Sequence, residues 1–226
     1  MSTPGLSIIV PVLDEAAGIG ATLRALAPLR ARGHELIVAD GGSSDGTPER
    51  CAGLADAVIA APRGRARQMN AGAAQARSDL LLFLHADTQL PPGADAAITR
   101  AVQAGADWGR FDVHIDGRSA MLPVVATLMN ARSRLSGIAT GDQAIFVRRA
   151  LFESIGGFPD QPLMEDIELS RRLRTHSRPA CLRERVVTSG RRWDSRGAWR
   201  TIVLMWSLRL RYWLGASPEA LARAYR

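Results

Sequence analysis

Lysine is missing altogether: all 29 basic residues of this 226-residue chain are arginine. So complete a replacement points to GC-rich codon usage more than to selection for phosphate contacts. It also excludes a Walker A phosphate loop, whose chemistry needs a lysine. Cysteine is scarce. Cys51 and Cys181 are far apart, which excludes a disulfide framework and a zinc-ligand spacing, suits a reducing compartment, and leaves both as small packing residues. No run reaches the ~18 uninterrupted apolar residues of a membrane span. Met1 to Pro4 carry no basic segment, which predicts no signal peptide. No internal repeat, low-complexity tract or linker is visible. A secreted mini-protein, a coiled coil and a polytopic membrane protein are thereby excluded. The length predicts one domain with, at most, an appendage.

What is present is ordinary globular composition, 46% hydrophobic and 23% charged, which excludes wholesale disorder. The net charge of +7 is unevenly spread. Residues 1–147 carry 13 Arg against 14 Asp and Glu, a net of −1, whereas residues 148–226 carry 16 against 8, a net of +8. A basic final third implies an anionic partner at one end, such as a lipid surface or a phosphorylated substrate. No helix-turn-helix, zinc-finger or RNA-recognition signature accompanies the charge, so nucleic acid ranks low as a partner.

The first ninety residues alternate between short apolar runs and helix-like segments. Leu6–Val12 reads as a strand buried on both faces, Ala17–Arg30 as a helix, and Glu35–Ala39 as a second strand. Asp40–Thr47 is a loop from which Thr47 and Pro48 start a helix. Ala57–Ala60, Arg65–Ala76 and Asp79–Leu84 continue as strand, helix and strand. This rhythm predicts an α/β fold with a mostly parallel central sheet and helices on both faces. Ligands of such sheets bind beyond the carboxyl ends of the strands. Asp14 and Glu15, Asp40, and Asp87 fall there, after the first, second and fourth strands. Further along, strands are expected at Trp108–Ile115, Gln143–Arg148 and Val186–Ser189. Helices are expected at Met121–Leu135, before Gly156-Gly157, from Glu165 to about Arg174, and at Gly197–Leu214. The organisation expected is one domain over 1–226, with a nucleotide-binding half (5–90), a second half (105–190) and an amphipathic tail (197–226).

Dinucleotide chemistry fits poorly, because Gly18-Ile19-Gly20 is followed by Leu23 where the third glycine belongs. Pro11-Val-Leu-Asp-Glu15 is not the Gly-rich basic loop expected of a sugar-phosphate nucleotidyltransferase. Several segments in order do fit one pattern: SIIVPVLDEA (Ser7–Ala16), VADGGSSDGT (Val38–Thr47), RGRARQMNAGAAQARSDLLLFLHADT (Arg63–Thr88), GDQAIFVRRALFESIGGFPD (Gly141–Asp160) and MEDIELSRRLR (Met164–Arg174). Together they resemble the family-2 glycosyltransferases, and most of all the small stand-alone bacterial members of unassigned substrate. Ser189-Gly-Arg-Arg-Trp193 resembles the Q-x-x-R-W element of processive members, with Ser in place of Gln.

The resemblance implies a GT-A fold, a nucleotide-diphosphate sugar donor, Mn²⁺ or Mg²⁺, and inversion at the anomeric carbon. It implies that Asp40 accepts a hydrogen bond from the base, that Pro11 and Glu15 line the base and ribose pocket, and that Arg67 helps hold the nucleotide phosphate. Asp87, the last residue of the D-x-D motif, would bind the metal. Asp166 would be the general base toward the acceptor hydroxyl. It shares a helix face with Leu169 and Leu173, so it points inward from a first turn whose dipole favours the ionised carboxylate. Gly141, Asp142, Glu165, Arg192 and Trp193 are implied on the sugar and acceptor side. Two positions depart from the family pattern. Gly41 stands at the second Asp of the second-strand motif, and His85 at the first Asp of D-x-D, where an imidazole can donate to a ribose or phosphate oxygen or ligate Mn²⁺ without supplying the same charge.

Plainer readings compete. Asp40, Asp45 and Asp87 also suit turn caps, and Glu165 and Asp166 ordinary first-turn acids. Glu168 and Arg172 read as a solvated i,i+4 pair. His34, His114 and His176 lack partners at ligand spacing and read as surface residues. Trp193, Trp199, Trp206 and Trp213 recur at six- and seven-residue intervals, which reads first as a core stripe and second as a sugar platform. Thr201–Leu214 is too short to span a bilayer. It either packs on the domain or lies in a membrane interface, where it would favour a lipid-linked acceptor. The expected location is accordingly cytoplasmic, with peripheral contact at the inner membrane face under the second option. A non-catalytic nucleotide-sugar or membrane-surface binding module is the alternative function.

Overall fold

The computed structural model describes residues 5–225, apart from the side chains at 192, 195, 196 and 198. Strands β1 (Ser7–Val12), β2 (Glu35–Asp40), β3 (Ala57–Ala60) and β4 (Leu80–Phe83) are interleaved with helices α1 (Ile19–Ala25), α2 (Ala27–Ala31), α3 (Thr47–Cys51) and α4 (Arg65–Gln75). Then follow β5 (Thr88–Gln89), α5 (Ala94–Gln103), β6 (Trp108–Asp116), α6 (Leu122–Ser136), a 3₁₀ turn (Gly141–Gln143), β7 (Ile145–Arg148), α7 (Arg149–Ser154) and α8 (Glu165–Leu173). The described chain finishes with β8 (Ala180–Ser189), α9 (Arg191–Arg196), α10 (Ala198–Trp213) and α11 (Pro218–Tyr225).

All eight strands join one sheet in the order β3-β2-β1-β4-β7-β6-β8-β5. Four pairings are parallel, β1 with β2, β1 with β4, β2 with β3 and β6 with β8. Three are antiparallel, β4 with β7, β6 with β7 and β5 with β8. The strands alternate their apolar side chains between two faces. Ile8, Val10, Leu36, Val38 and Leu82 meet α1, α5 and α6, whereas Ile9, Ile37, Leu81 and Phe83 meet α4, α7 and α8. Each such fully buried aliphatic side chain contributes about 2 kcal/mol of transfer free energy. Pro11 is tolerated in a central strand because β4 pairs only with Ser7 to Ile9, so its missing N–H leaves no ladder position empty.

Several expectations need correction. The helix over 17–30 is two helices, because Pro28 cannot donate into a continuous turn and α2 restarts at Ala27. The last strand begins at Ala180, six residues before Val186. Its charged Arg183-Glu184-Arg185 stretch lies where β5 does not reach, since β5 pairs only through Thr188 and Val187. The short strand β5 and helices α5, α9 and α11 were not legible in the apolar pattern. His34 is not a surface residue: its Nε2 lies 3.1 Å from Asp95 Oδ2, an oxygen that also accepts from Arg32 Nε at 2.8 Å. Burial pushes the Asp95 carboxyl up, but the Arg32 and His34 hydrogen bonds outweigh it and hold it at about 2. A carboxyl depressed in the folded state adds stability above its ordinary value of 3.8, and that contribution is lost as pH falls through about 2.

The tryptophan stripe is the largest correction. Trp199, Trp206 and Trp213 are 67%, 68% and 82% exposed, with Val203, Leu210 and Leu214 beside them. The opposite face of α10 supplies the packing expected of the whole helix. Leu208 is sealed against Leu163, Met164 and Leu221, with Leu204, Met205 and Tyr212 alongside. Tyr212 also approaches Glu168, which accepts from Arg171 and Arg172, so the expected solvated pair is half-covered. No described helix is long and apolar enough to cross a membrane.

Candidate active site

The parallel half of the sheet ends in two loops that hold each other. The backbone N–H of Asp14, Glu15 and Ala16 donates to Ser43 Oγ, Thr47 Oγ1 and Asp45 Oδ2, all at 2.9 Å. Ser44 N–H returns a bond of 2.8 Å to Asp14 Oδ1. Asp45 is therefore a loop clamp. Asp40 is buried, and its carboxylate accepts from Gly42 N and Ser43 N at 3.0 Å each. The Ser43 hydroxyl also donates to Oδ1, so the turn-cap role holds. Gly41 is explained by a neighbour. A Cβ there would meet Gln68 Cδ at 2.9 Å, and Gln68 Nε2 ties the ends of β1 and β2 by donating to Val12 O and Ala39 O.

Across the sheet, Asp87 follows β4 and is partly open to solvent. Arg191 reaches toward it, with Nη2 at 3.8 Å from Asp87 Oδ2 and 3.5 Å from Glu15 Oε2. The sequence reading placed the basic contact of this segment at Arg192. The side chain of Arg192 lies outside the described residues, while Arg191 faces the site. Arg67 turns elsewhere: Nε and Nη2 bind both oxygens of Asp160 at 2.7 and 2.9 Å. Trp193 packs against the core on the α1 and α6 side of the sheet, so it presents no open platform.

A small cavity lies between this loop cluster and α8, lined by Met69, Phe83, His85, Gly141, Ile145, Phe158, Glu165 and Asp166. His85 faces into it rather than outward. Its Nδ1 is 3.3 Å from Asp142 Oδ1, and its buried Nε2 has no partner. Only glycine fits opposite, because a Cβ on Gly141 would lie 2.3 Å from that Nε2. Gly141 N–H donates to Asp166 Oδ2 at 2.8 Å, and Ile167 N–H to Oδ1 at 2.7 Å. The buried Glu165 pairs with Arg65 at 3.2 Å. Withdrawal from water raises the Asp166 carboxyl to about 6, Glu165 adds to the rise, and the two N–H donors and Arg65 pull against it. A carboxylate poised just below neutrality suits general-base work.

Backbone strain marks the same place. The non-glycine residues with positive φ are Asp14 (52°), Ala144 (49°) and Met164 (66°), among the described residues. They stand beside Glu15, two residues after Asp142 and just before Glu165, at a cost of order 1–3 kcal/mol apiece. The structure thus groups Pro11, Glu15, Asp40 and Asp87 at one end of the strands, and His85, Gly141, Asp142, Glu165 and Asp166 at the adjoining cavity.

The fold is an α/β protein whose clustered acids lie at the carboxyl edge of parallel strands. The sequence profile of glycosyl transferase family 2 matches residues 7–155, and the chain belongs to that family. Its fold is the GT-A fold. Among solved structures it is similar to TarS 1-349 of S. aureus, at 18% identity and TM-score 0.67, covering 82% of this chain and 60% of that one. It is also similar to the mannosyltransferase PcManGT from Pyrobaculum calidifontis in complex with GDP-Man and Mn²⁺, at 20% identity and TM-score 0.66, covering 99% of this chain and 69% of that one. A third is glucosyl-3-phosphoglycerate synthase from Mycobacterium tuberculosis in complex with Mn²⁺, UDP and glucosyl-3-phosphoglycerate, at 21% identity and TM-score 0.60, covering 82% and 71%. The chain thus spans about three fifths of the TarS length it matches. Comparison with curated protein sequences gave no significant match.

Proposed function

We propose that this protein transfers a sugar from a nucleotide-diphosphate sugar to an acceptor hydroxyl with inversion. The observation that carries the reading is Asp166: a carboxylate fixed by two backbone N–H groups, raised to about 6, and facing a cavity beside the nucleotide loops. Asp166 takes the acceptor proton as the acceptor oxygen bonds to the anomeric carbon. The bond from that carbon to the diphosphate breaks on the opposite face, and the nucleoside diphosphate leaves. Asp40, Pro11 and Glu15 form the nucleotide end, and Arg191 brings positive charge toward the diphosphate.

A divalent cation fits one arrangement of these residues. Asp87 offers a single hard carboxylate, and no group of three or more His, Cys, Asp or Glu among the described residues is placed to hold an ion without the donor. Asp87 is the residue that would hold Mn²⁺ or Mg²⁺. When bound, it neutralises charge on the leaving diphosphate.

We further propose that α10 rests its exposed stripe on a membrane, and that the acceptor is lipid-linked. Trp199, Val203, Trp206, Leu210 and Trp213 follow one helical line, with the exposed Arg200 and Arg211 on one flank and Arg209 on the other. This is the pattern of an interfacial helix on anionic lipid. The inner face of the same helix packs on Leu163 and Met164, the residues leading directly into Glu165 and Asp166. The membrane side and the base side of the site are thus joined through one helix. A second copy would be a poor cover for the stripe, since it would oppose arginine with arginine.

The donor reading is tested by thermal unfolding with UDP, GDP, CDP or dTDP, each with and without Mn²⁺. One diphosphate is expected to raise the midpoint by several degrees only when Mn²⁺ is present, as ligand bound to the folded state does by mass action. Asp40→Ala and Asp87→Ala should each abolish that rise. No rise with any diphosphate at millimolar concentration overturns the reading.

A further inference from the structure

The arginines around α6 and α8 are nearly all matched to acceptors. Arg110 is sealed against Asp112, Ser133 and the Asn130 carbonyl, Arg134 binds Asp112 and the Cys181 carbonyl, and Arg174 binds the Ser136 carbonyl. Arg132, on the same stretch of α6, is different. Its Nε and Nη2 are buried and have no hydrogen-bond partner. Those two nitrogens form one edge of the guanidinium, the side-on fork that matches the two oxygens of a carboxylate or phosphate. The same edge grips Asp160 from Arg67 and Glu168 from Arg171 in this molecule. In Arg132 the same edge meets no acceptor from the protein.

Its position is fixed by its neighbours in the helix. Asn130 brackets Val113 of β6 with bonds of 2.9 and 3.0 Å, and Ser133 accepts from Arg110, so α6 cannot roll to send Arg132 into solvent. Asn130, two residues before it, accepts from Gln143 Nε2 at 3.3 Å, in the same 3₁₀ turn whose Gly141 N–H holds Asp166, so this part of α6 lies against the Asp166 side of the site. Desolvation disfavours the Arg132 charge, Asp166 attracts it and Arg110 repels it. Asp166 does not complete the fork, because its own oxygens take the N–H groups of Gly141 and Ile167. A buried, unpaired cation costs stability, and such a cost is retained where a ligand removes it.

We infer that Arg132 is an acceptor-binding residue whose fork takes an anionic group, a phosphate or carboxylate, carried by the acceptor beside Asp166. This rests on the reading of Asp166 as the base, and it narrows the acceptor from any hydroxyl compound to an anionic one. Arg132 would pin the anion, leaving a neighbouring hydroxyl of the same molecule to face Asp166.

The test uses the full chain and thermal unfolding with inorganic phosphate, acetate or neutral glycerol at millimolar concentration. Phosphate or acetate is expected to raise the midpoint by about 3 °C at tenfold over its Kd, and glycerol to leave it unmoved. Arg132→Gln should lose that rise, whereas Arg24→Gln on the exposed face of α1 should keep it. Without ligand, Arg132→Gln should unfold no earlier than the unsubstituted protein, since a desolvated unpaired charge has been removed; a purely structural arginine would instead lower the midpoint. Glycerol 3-phosphate in solution and phosphatidic acid in phosphatidylcholine vesicles then distinguish a soluble from a lipid-borne phosphate, by which of the two shows an Arg132-dependent response. An anion response that survives Arg132→Gln, or none in the unsubstituted protein, overturns the assignment. Loss of the response to nucleoside diphosphate with Mn²⁺ in Arg132→Gln, with the anion response intact, would give the fork to the donor and overturn it too. If no diphosphate ever shifts the midpoint while the Arg132-dependent anion response stands, the sugar-transfer reading fails and the anion site remains.

Discussion

Replacing Asp166 with asparagine is expected to lower the turnover of a nucleotide sugar by about a thousandfold, the middle of the range for loss of a general base. That corresponds to roughly 4 kcal/mol of transition-state stabilisation. Asparagine keeps the volume and one oxygen for the Gly141 or Ile167 N–H, so the loss reports the missing proton acceptor rather than a collapsed cavity. The pH profile carries the sharper signature. Because the carboxyl is raised to about 6 in the folded protein, the base is ionised above that pH and progressively protonated below it. The rate should therefore fall tenfold per pH unit on the acid side of about 6, and Asp166→Asn should be slow and flat across the same interval. Release of nucleoside diphosphate with Mn²⁺ and water as acceptor, followed from pH 4.5 to 8, measures both. An unchanged rate in the variant would remove Asp166 from the chemistry. An acid limb close to pH 4 would mean that burial and Glu165 do not govern the carboxyl.

The second large effect concerns α10. Changing Trp206 and Trp213 together to glutamate is expected to weaken binding to anionic vesicles at least a hundredfold. Partial burial of each indole in the lipid interface is worth about 1–2 kcal/mol on area grounds, and two acids on an arginine-flanked stripe add repulsion from the lipid. Vesicle flotation with phosphatidylglycerol at low and high salt reads this directly, since attraction to anionic lipid weakens with salt. The same variant should retain nucleotide-sugar turnover with water, because the stripe faces away from Leu163 and Met164. Equal flotation of both proteins would show that the exposed stripe does not meet lipid.

The two halves of the molecule were unequally legible from sequence. Continuous apolar runs such as Ser7–Val12 and Leu80–Phe83 announce buried parallel strands, and the acids that follow them announce the ligand end. The alternation fails where tertiary pairing decides: Arg183-Glu184-Arg185 reads as a loop but extends β8 along the flank of β6. The inward position of Asp166 and Glu165 was readable because they open a helix whose buried face is set by Leu169 and Leu173. The occupant of a guanidinium is never local information. Arg67 and Arg132 look equivalent in the sequence, yet one is bound to Asp160, 93 residues away, while the Nε and Nη2 of the other meet no acceptor from the protein. Gly41 departs from the family pattern for a reason equally distant, the Gln68 side chain that fills its place. Tryptophan spacing predicts which residues share a face, and no spacing says whether anything covers that face.

The placement of the indoles has an optical consequence. Of five tryptophans, only Trp108 is sealed in the interior, where its Nε1–H donates to the Ser177 carbonyl at 2.9 Å. Trp199, Trp206 and Trp213 stand in water, so the folded protein is expected to emit at longer wavelength than a protein whose indoles are all buried. Unfolding followed by intrinsic fluorescence would report mainly on Trp108 and Trp193, the two indoles held by the core. Transfer of the stripe into an apolar phase moves the emission to shorter wavelength, so the colour of the native signal reports where the helix is rather than whether the protein is folded.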